Sequence, residues 1–120
     1  MRPIINHIQF GHITISGRRY DHDVVIRLDG TIEKRKKKLS KAKYGTSHTI
    51  SLDEAKFIFE DGAEELIIGT GQTGYVELSD EAKTFLDRKG CNVQLNPTPV
   101  SINIWNHHNG NTIGLFHVTC

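Results

Sequence analysis

Two helix-start signals bracket a short aliphatic run in the second half of this chain, and together they leave few ways to fold it. Ser51 and Glu54 form an S-x-x-E capping box, in which the serine oxygen accepts from the backbone at 54 and Glu54 reaches back. Ala55, Ile58 and Phe59 then follow at i, i+3 and i+4 spacing, and Gly62 is the expected stop. LIIG (66–69) is continuously apolar, as a strand covered on both faces requires. Ser79 opens a second helix, with Asp80 and Glu81 at its positive end and Arg88 and Lys89 at its negative end, before Gly90. CNVQL (91–95) is the next strand.

Residues 97–108, PTPVSINIWNHH, fit two patterns. Val100, Ile102 and Ile104 alternate as in a strand. A helix capped by Thr98, with Pro99 at its first position, instead sets Val100 and Ile104 four apart beside Trp105. The helix is preferred, because a parallel strand pair needs a crossover and TIGLFHVT (112–119) follows as a strand. The order is then β-α-β-α-β, which implies mostly parallel strands with helices packed on them.

The first half reads as hairpins. INHIQFG (5–11) and HITISG (12–17) are strands, with Ile13 and Ile15 alternating against Thr14 and Ser16 up to Gly17. DVVIRLDGTIEKRK (23–36) is strand, turn, strand, with Asp29-Gly30 at the turn. The expectation is one domain over residues 1–120: a three-layer α/β fold carrying extra β-structure. At 120 residues such a chain buries a core without disulfides or metal.

Candidate chemistry begins at ELIIGTGQTGYVEL (64–77), where Gly69, Gly71 and Gly74 are spaced G-x-G-x-x-G. Dinucleotide binding requires a helix to start inside that motif, so that its N-terminus faces the pyrophosphate. Here the next cap is Ser79, the following strand ends Leu95-Asn96-Pro97 without an acidic residue, and no G-K-[ST] follows. No cofactor is therefore expected. A crevice remains where strand exits gather. Gly69, Thr70, Gly71 and Gly74 end one parallel strand, and Thr98 follows the next. Backbone amides there are a candidate cradle for a small anion.

The run EKRKKKLSKAK (33–43) holds seven of the fifteen Lys and Arg residues. A net charge of +1 speaks against nucleic acid as an obligatory partner, and no aromatic interleaves the run before Tyr44. A lysine-studded sheet edge is the simplest reading. By period two, Lys34, Lys36 and Lys38 share one face and Arg35 and Lys37 the other, so Arg35 or Lys37 is a candidate to enter the crevice. Seven histidines show no metal spacing, and no metal is expected. His48, just before the first cap and close to the basic run, is the histidine best placed as acid, base or anion contact. Cys91 and Cys120 form no C-x-x-C pair; Cys91 is read as a core residue. The alternating N-terminal segment lacks the apolar stretch of a secretory signal, and a cytoplasmic location is expected.

KYGTSHTIS, ELIIGTGQTG, NPTPVSINIWN and GLFHVTC, in that order along nearly the whole chain, resemble the Mth938-like proteins, a domain of unknown function. That family's pattern has alanine at the place of Ser101, and tyrosine or phenylalanine at that of Trp105. The resemblance implies a three-layer α/β fold with a central mixed sheet and an added β layer, and no established reaction. Relatives linked to respiratory complex I assembly and to fat-cell differentiation imply accessory or interaction roles. The leading expectation is a small accessory domain holding an anionic ligand or a protein partner near Gly69–Gly74 and Thr98. The competitors are a small enzyme using His48, Arg35 or Lys37 at the same crevice, and a weak nucleic-acid binder working through residues 34–43.

Overall fold

The computed structural model describes residues 2–120. Its strands are β1 (Ile5–Gln9), β2 (His12–Ile15), β3 (Arg18–Tyr20), β4 (Val24–Ile26), β5 (Ile32–Lys34), β6 (Thr49–Ile50), β7 (Glu65–Gly69), β8 (Glu77–Leu78), β9 (Asn92–Asn96) and β10 (Thr112–Phe116). Its helices are α1 (Lys38–Tyr44), α2 (Leu52–Ile58), α3 (Asp80–Arg88) and α4 (Thr98–His107).

The central sheet runs β5-β4-β10-β7-β9. Strands β10, β7 and β9 are parallel, as the helix–strand alternation requires. Strand β4 pairs antiparallel with β10, and β5 antiparallel with β4. Strand parity divides the core in two. Leu66, Ile68, Ile113 and Leu115 face α2 and α3, packing on Ala55, Ile58, Ala82 and Leu86. Val24, Ile26, Ile67 and Phe116 face the other way, against Trp105 of α4 and against Ile5, Ile13 and Ile15 of the antiparallel β1-β2-β3 sheet. The three layers are thus two helices, the mixed sheet, and a mixed layer of α4 with the N-terminal hairpins. Each apolar side chain fully buried in these layers contributes roughly 1.5–3 kcal/mol.

Several local details differ from expectation. Helix α2 ends at Ile58, with Phe59 already extended, and Gly62 lies in the turn beyond. Only half of the capping box forms: Ser51 accepts from the Glu54 amide, but the Ser51 amide donates to Ser40, because the Glu54 carboxylate is engaged elsewhere. Pro97, not Thr98, is the residue before α4, and the Thr98 side chain caps nothing in that helix. The basic run is not one strand: β5 stops at Lys34, and Lys38–Tyr44 is helical. Likewise β10 stops at Phe116: the His117 amide still reaches Gly69 of β7, but the Val118 and Thr119 carbonyls turn to the amides of Gly11 and Gln72. The pairing of β6 with β8 is a long-range contact that local pattern does not announce.

Candidate functional site

Strand register assembles the most polar place in the interior. Val24 lies opposite Lys34 on one side and Phe116 on the other. One step beyond that row, at the rim where β7, β9 and β10 end, stand Asp23, Arg35 and His117. Burial of all three is nearly complete. The Arg35 amide donates to the Asp23 carbonyl at 3.0 Å, and the Val118 amide to Asp23 Oδ1 at 2.9 Å, so backbone bonds fix the row.

Arg35 is held on all sides. Its Nε donates to Glu54 Oε2 at 2.6 Å and its Nη2 to Glu54 Oε1 at 3.0 Å, the two-pronged geometry that suits a guanidinium to a carboxylate. Nη1 donates to Asp23 Oδ2 at 3.0 Å and Nη2 to the Ser47 carbonyl at 2.6 Å. The first turn of α2 places Glu54 there, and Ser40 of α1 donates to the same carboxylate. Burial alone would make Arg35 easier to deprotonate. The hydrogen bonds and charges of Glu54 and Asp23 outweigh it and raise its pKa.

Asp23 Oδ2 is the meeting point of three positive or hydrogen-bearing groups: Arg35, His117 Nδ1 at 2.6 Å, and Lys37 Nζ at 3.6 Å. Burial pushes this carboxyl up. The His117 hydrogen bond and charge, the Val118 amide and Lys37 prevail, and hold it down at about 2. Asp23 is therefore ionised at neutral pH and only accepts. The His117 ring donates from Nδ1, and its Nε2 lies 3.1 Å from Thr119 Oγ1. His48, half-buried, stands edge-on to His117 at 5.7 Å between ring centres, with Tyr75 at 6.2 Å from His48.

Above this row a cleft of about 530 Å³ is lined by His22, Asp23, Arg35 and Lys34, Lys36, Lys37 and Lys38. The alternation expected for this stretch puts Arg35 inward: it is buried, between the exposed Lys34 and Lys36. The Lys36 ammonium lies 4.5 Å from the Phe57 ring centre. The cleft lining offers bases no phenyl, phenol or indole surface to stack on. A second groove of about 460 Å³, between α2 and α3, is of mixed charge, with Lys56 and Arg88 beside Asp80 and Glu81 and no buried titratable group.

At the other end of the rim the glycine turn is filled by the protein itself. A Cβ on Gly69 would lie 2.7 Å from Ser101 Oγ and 2.8 Å from Thr98 Oγ1. Gly71, at φ +106°, has the Cys120 carbonyl and the His117 ring where a side chain would go. Gly74 faces Pro97 and Thr70, and Thr70 is itself buried. Thr98 is fully buried; its hydroxyl donates to the His117 carbonyl at 2.7 Å and accepts from the Gly71 amide at 2.9 Å. The amides of Thr70, Gly71, Gln72 and Thr98 are all bonded within the protein. Of the residues singled out in the sequence, Arg35, Lys37 and His48 converge with His117. Gly71 joins them by lying against the His117 ring, and Thr98 only through its bond to the His117 backbone. Asp23, Glu54 and His117 escaped sequence reasoning. The signal for the first and last was a charged or titratable residue directly abutting an apolar strand, before VVI and after GLF.

Among the described residues no three metal-ligating side chains cluster, and no helix is long and apolar enough to cross a membrane. Cys91 is buried, and burial with the nearby Glu65 charge pushes its thiol up to about 11, leaving it protonated and inert at neutral pH.

Residues 5–112 match the family model described as a protein of unknown function, DUF498/DUF598. The conserved hypothetical protein PH1505 from Pyrococcus horikoshii is 32% identical, with a TM-score of 0.87 over 97% of this chain and 98% of that one. The structure of MT938 is 31% identical, with a TM-score of 0.82 over 98% of this chain and 99% of that one. An Mth938-like domain from Bordetella pertussis shares the fold at 13% identity and a TM-score of 0.65, over 97% and 85%. No curated protein resembles the chain closely enough to count as a match.

Proposed function

Because the chain belongs to the Mth938-like family (DUF498/DUF598), whose function is unknown, no relative supplies an activity, and we propose from the site alone that it is a small accessory binding domain for a compact anionic group. The group, a phosphate or carboxylate on a ligand or partner, enters the cleft between the start of β4 and the β5–α1 turn. The observation that carries this reading is the pairing of a locked floor with unlocked walls. Arg35 is spent on Glu54, Asp23 and Ser47. Lys37 is 37% exposed and 3.6 Å from an oxygen that His117 and Arg35 already occupy, so it is the loosest of the three and can turn to an incoming anion. Lys34, Lys38 and His22 add positive or hydrogen-bonding groups around it. The anion site expected at Gly69–Gly74 and Thr98 draws less support, since the amides of Thr70, Gly71, Gln72 and Thr98 are already bonded.

The test is an amide-resolved NMR titration with inorganic phosphate and pyrophosphate at low salt. Saturable shifts confined to residues 22 and 34–38, weakened tenfold or more in Lys37→Glu, support the reading. Absence of saturable shifts there, or an undiminished response in Lys37→Glu, refutes it. Retention on heparin that is lost in the Lys36→Glu/Lys38→Glu variant, with no phosphate response, would favour nucleic acid instead.

A further inference from the structure

The cleft uses one side of the Asp23–His117 pair. The other side of the imidazole has its own geometry, independent of anion binding. Asp23 is acceptor-only, so the hydrogen between it and His117 sits on Nδ1, 2.6 Å from the carboxylate. In neutral His117 this leaves the Nε2 lone pair facing the Thr119 hydroxyl at 3.1 Å, and the hydroxyl donates to it. Carboxylate, imidazole and hydroxyl therefore stand in sequence: an orienting acid, a base and an alcohol within hydrogen-bond reach.

Exposure grades outward along this relay. Asp23 and His117 are 1% and 2% exposed, and Thr119 is the member that reaches solvent. Its backbone is fixed as well: Gln72 donates to the Thr119 carbonyl, and Val118 before it is tied to Asp23 and Gly11. A hydroxyl on a pinned backbone, facing a base that is itself oriented by a buried carboxylate, is organised beyond what a hydrogen bond to solvent needs. Beside it, the His48 ring stands edge-on against the His117 ring.

We propose that Thr119 is a nucleophile for acyl transfer from small activated esters, with His117 as its general base and Asp23 as the positioning residue. Thr119 Oγ attacks the ester carbonyl carbon as its proton passes to His117 Nε2. The carbon–oxygen bond to the alcohol then breaks, and the alcohol leaves with that proton. The acyl group remains on Thr119 until water, deprotonated by the same nitrogen, adds to the carbonyl. The acid then departs, and the proton returns to Thr119 as its free hydroxyl is restored.

The experiment incubates the intact protein with p-nitrophenyl acetate in a Cys120→Ser background, which removes the neighbouring thiol. Acyl sites are mapped by peptide mass spectrometry, and nitrophenol release is followed against pH. The expected result is acetylation of Thr119 at a rate that rises with pH. It vanishes in Thr119→Val, persists in Thr119→Ser, and falls about 10²-fold or more in His117→Gln. Acetate on lysines alone, or a Thr119 rate that His117→Gln leaves unchanged, overturns the proposal. If His117→Gln fails to fold by NMR, the serine and valine variants decide. A phosphate titration that fails while Thr119 acylates would sink the anion site and leave this one standing.

Discussion

The two ends of one sheet rim have been closed by opposite means. Past β7 and β9 the rim is sealed with small residues: Gly69, Gly71, Thr98 and Ser101 interlock so closely that a single added methyl has no space. Past β4, β5 and β10 it is closed with charge, where Asp23, Arg35 and Glu54 are withdrawn from water and pair with one another. The first solution uses hydrogen bonds to the backbone and the close fit of small residues. The second leaves a carboxylate, an imidazole and a lysine in contact at the foot of a cleft. A rim that only needed closing is better closed the first way, because a buried ion pair is often no more stabilising than apolar residues of the same shape. The charged end is where function is to be sought.

That contrast can be broken in order of size. The largest effect is expected from Glu54→Ala, which takes the two-pronged partner from buried Arg35 and leaves it only Asp23 and the Ser47 carbonyl. Urea denaturation should show a loss of about 3–5 kcal/mol, against no measurable loss for Asp21→Ala, whose pair with Arg19 is exposed. Equal losses would mean that the buried network is not a fixed unit. Next comes the sealed end. Gly71→Ala meets the Cys120 carbonyl at 2.5 Å with φ at +106° and should cost about 3 kcal/mol. Gly69→Ala, at ordinary φ but with three atoms nearer than 3.0 Å, should cost about 1–3 kcal/mol. A neutral Gly71→Ala would show that this end yields, and would restore interest in the glycine crevice. Smallest is the acid response of the charged end. Asp23 has a folded pKa of about 2 against an ordinary 3.8. Its stabilisation of about 2 kcal/mol is present above pH 4 and is lost as pH falls through 2. Urea midpoints measured from pH 5 to pH 2 should fall more steeply than in Asp23→Asn; parallel curves would deny the pairing.

The contrast also explains what could be read from the sequence. Helix caps at Ser51 and Ser79 and the apolar run 66–69 are local, so the parallel strands were legible, and the period-two rule turned Arg35 inward. What Arg35 meets was not legible, since Asp23 and Glu54 lie 12 and 19 residues away and His117 lies 94 from Asp23. Glu54 misled because S-x-x-E offers the glutamate a local partner, and a charge in the interior outbids it. G-x-G-x-x-G misled for a related reason. Glycines serve close packing as readily as ligand approach, and only the Cβ positions, filled by Ser101, Thr98, His117 and Cys120, tell the two apart.

The seating of β10 between β4 and β7 has a kinetic side. The β4–β5 hairpin and the Arg35–Glu54 clasp join nearby segments and can form early. Asp23 has no imidazole until a strand almost a hundred positions downstream has threaded into the middle of the sheet. Such distant closure is the slow part of assembly. Until it happens a carboxylate, a guanidinium and the flanks of two strands stand open together, so nascent copies are most exposed to aberrant association just before the relay exists.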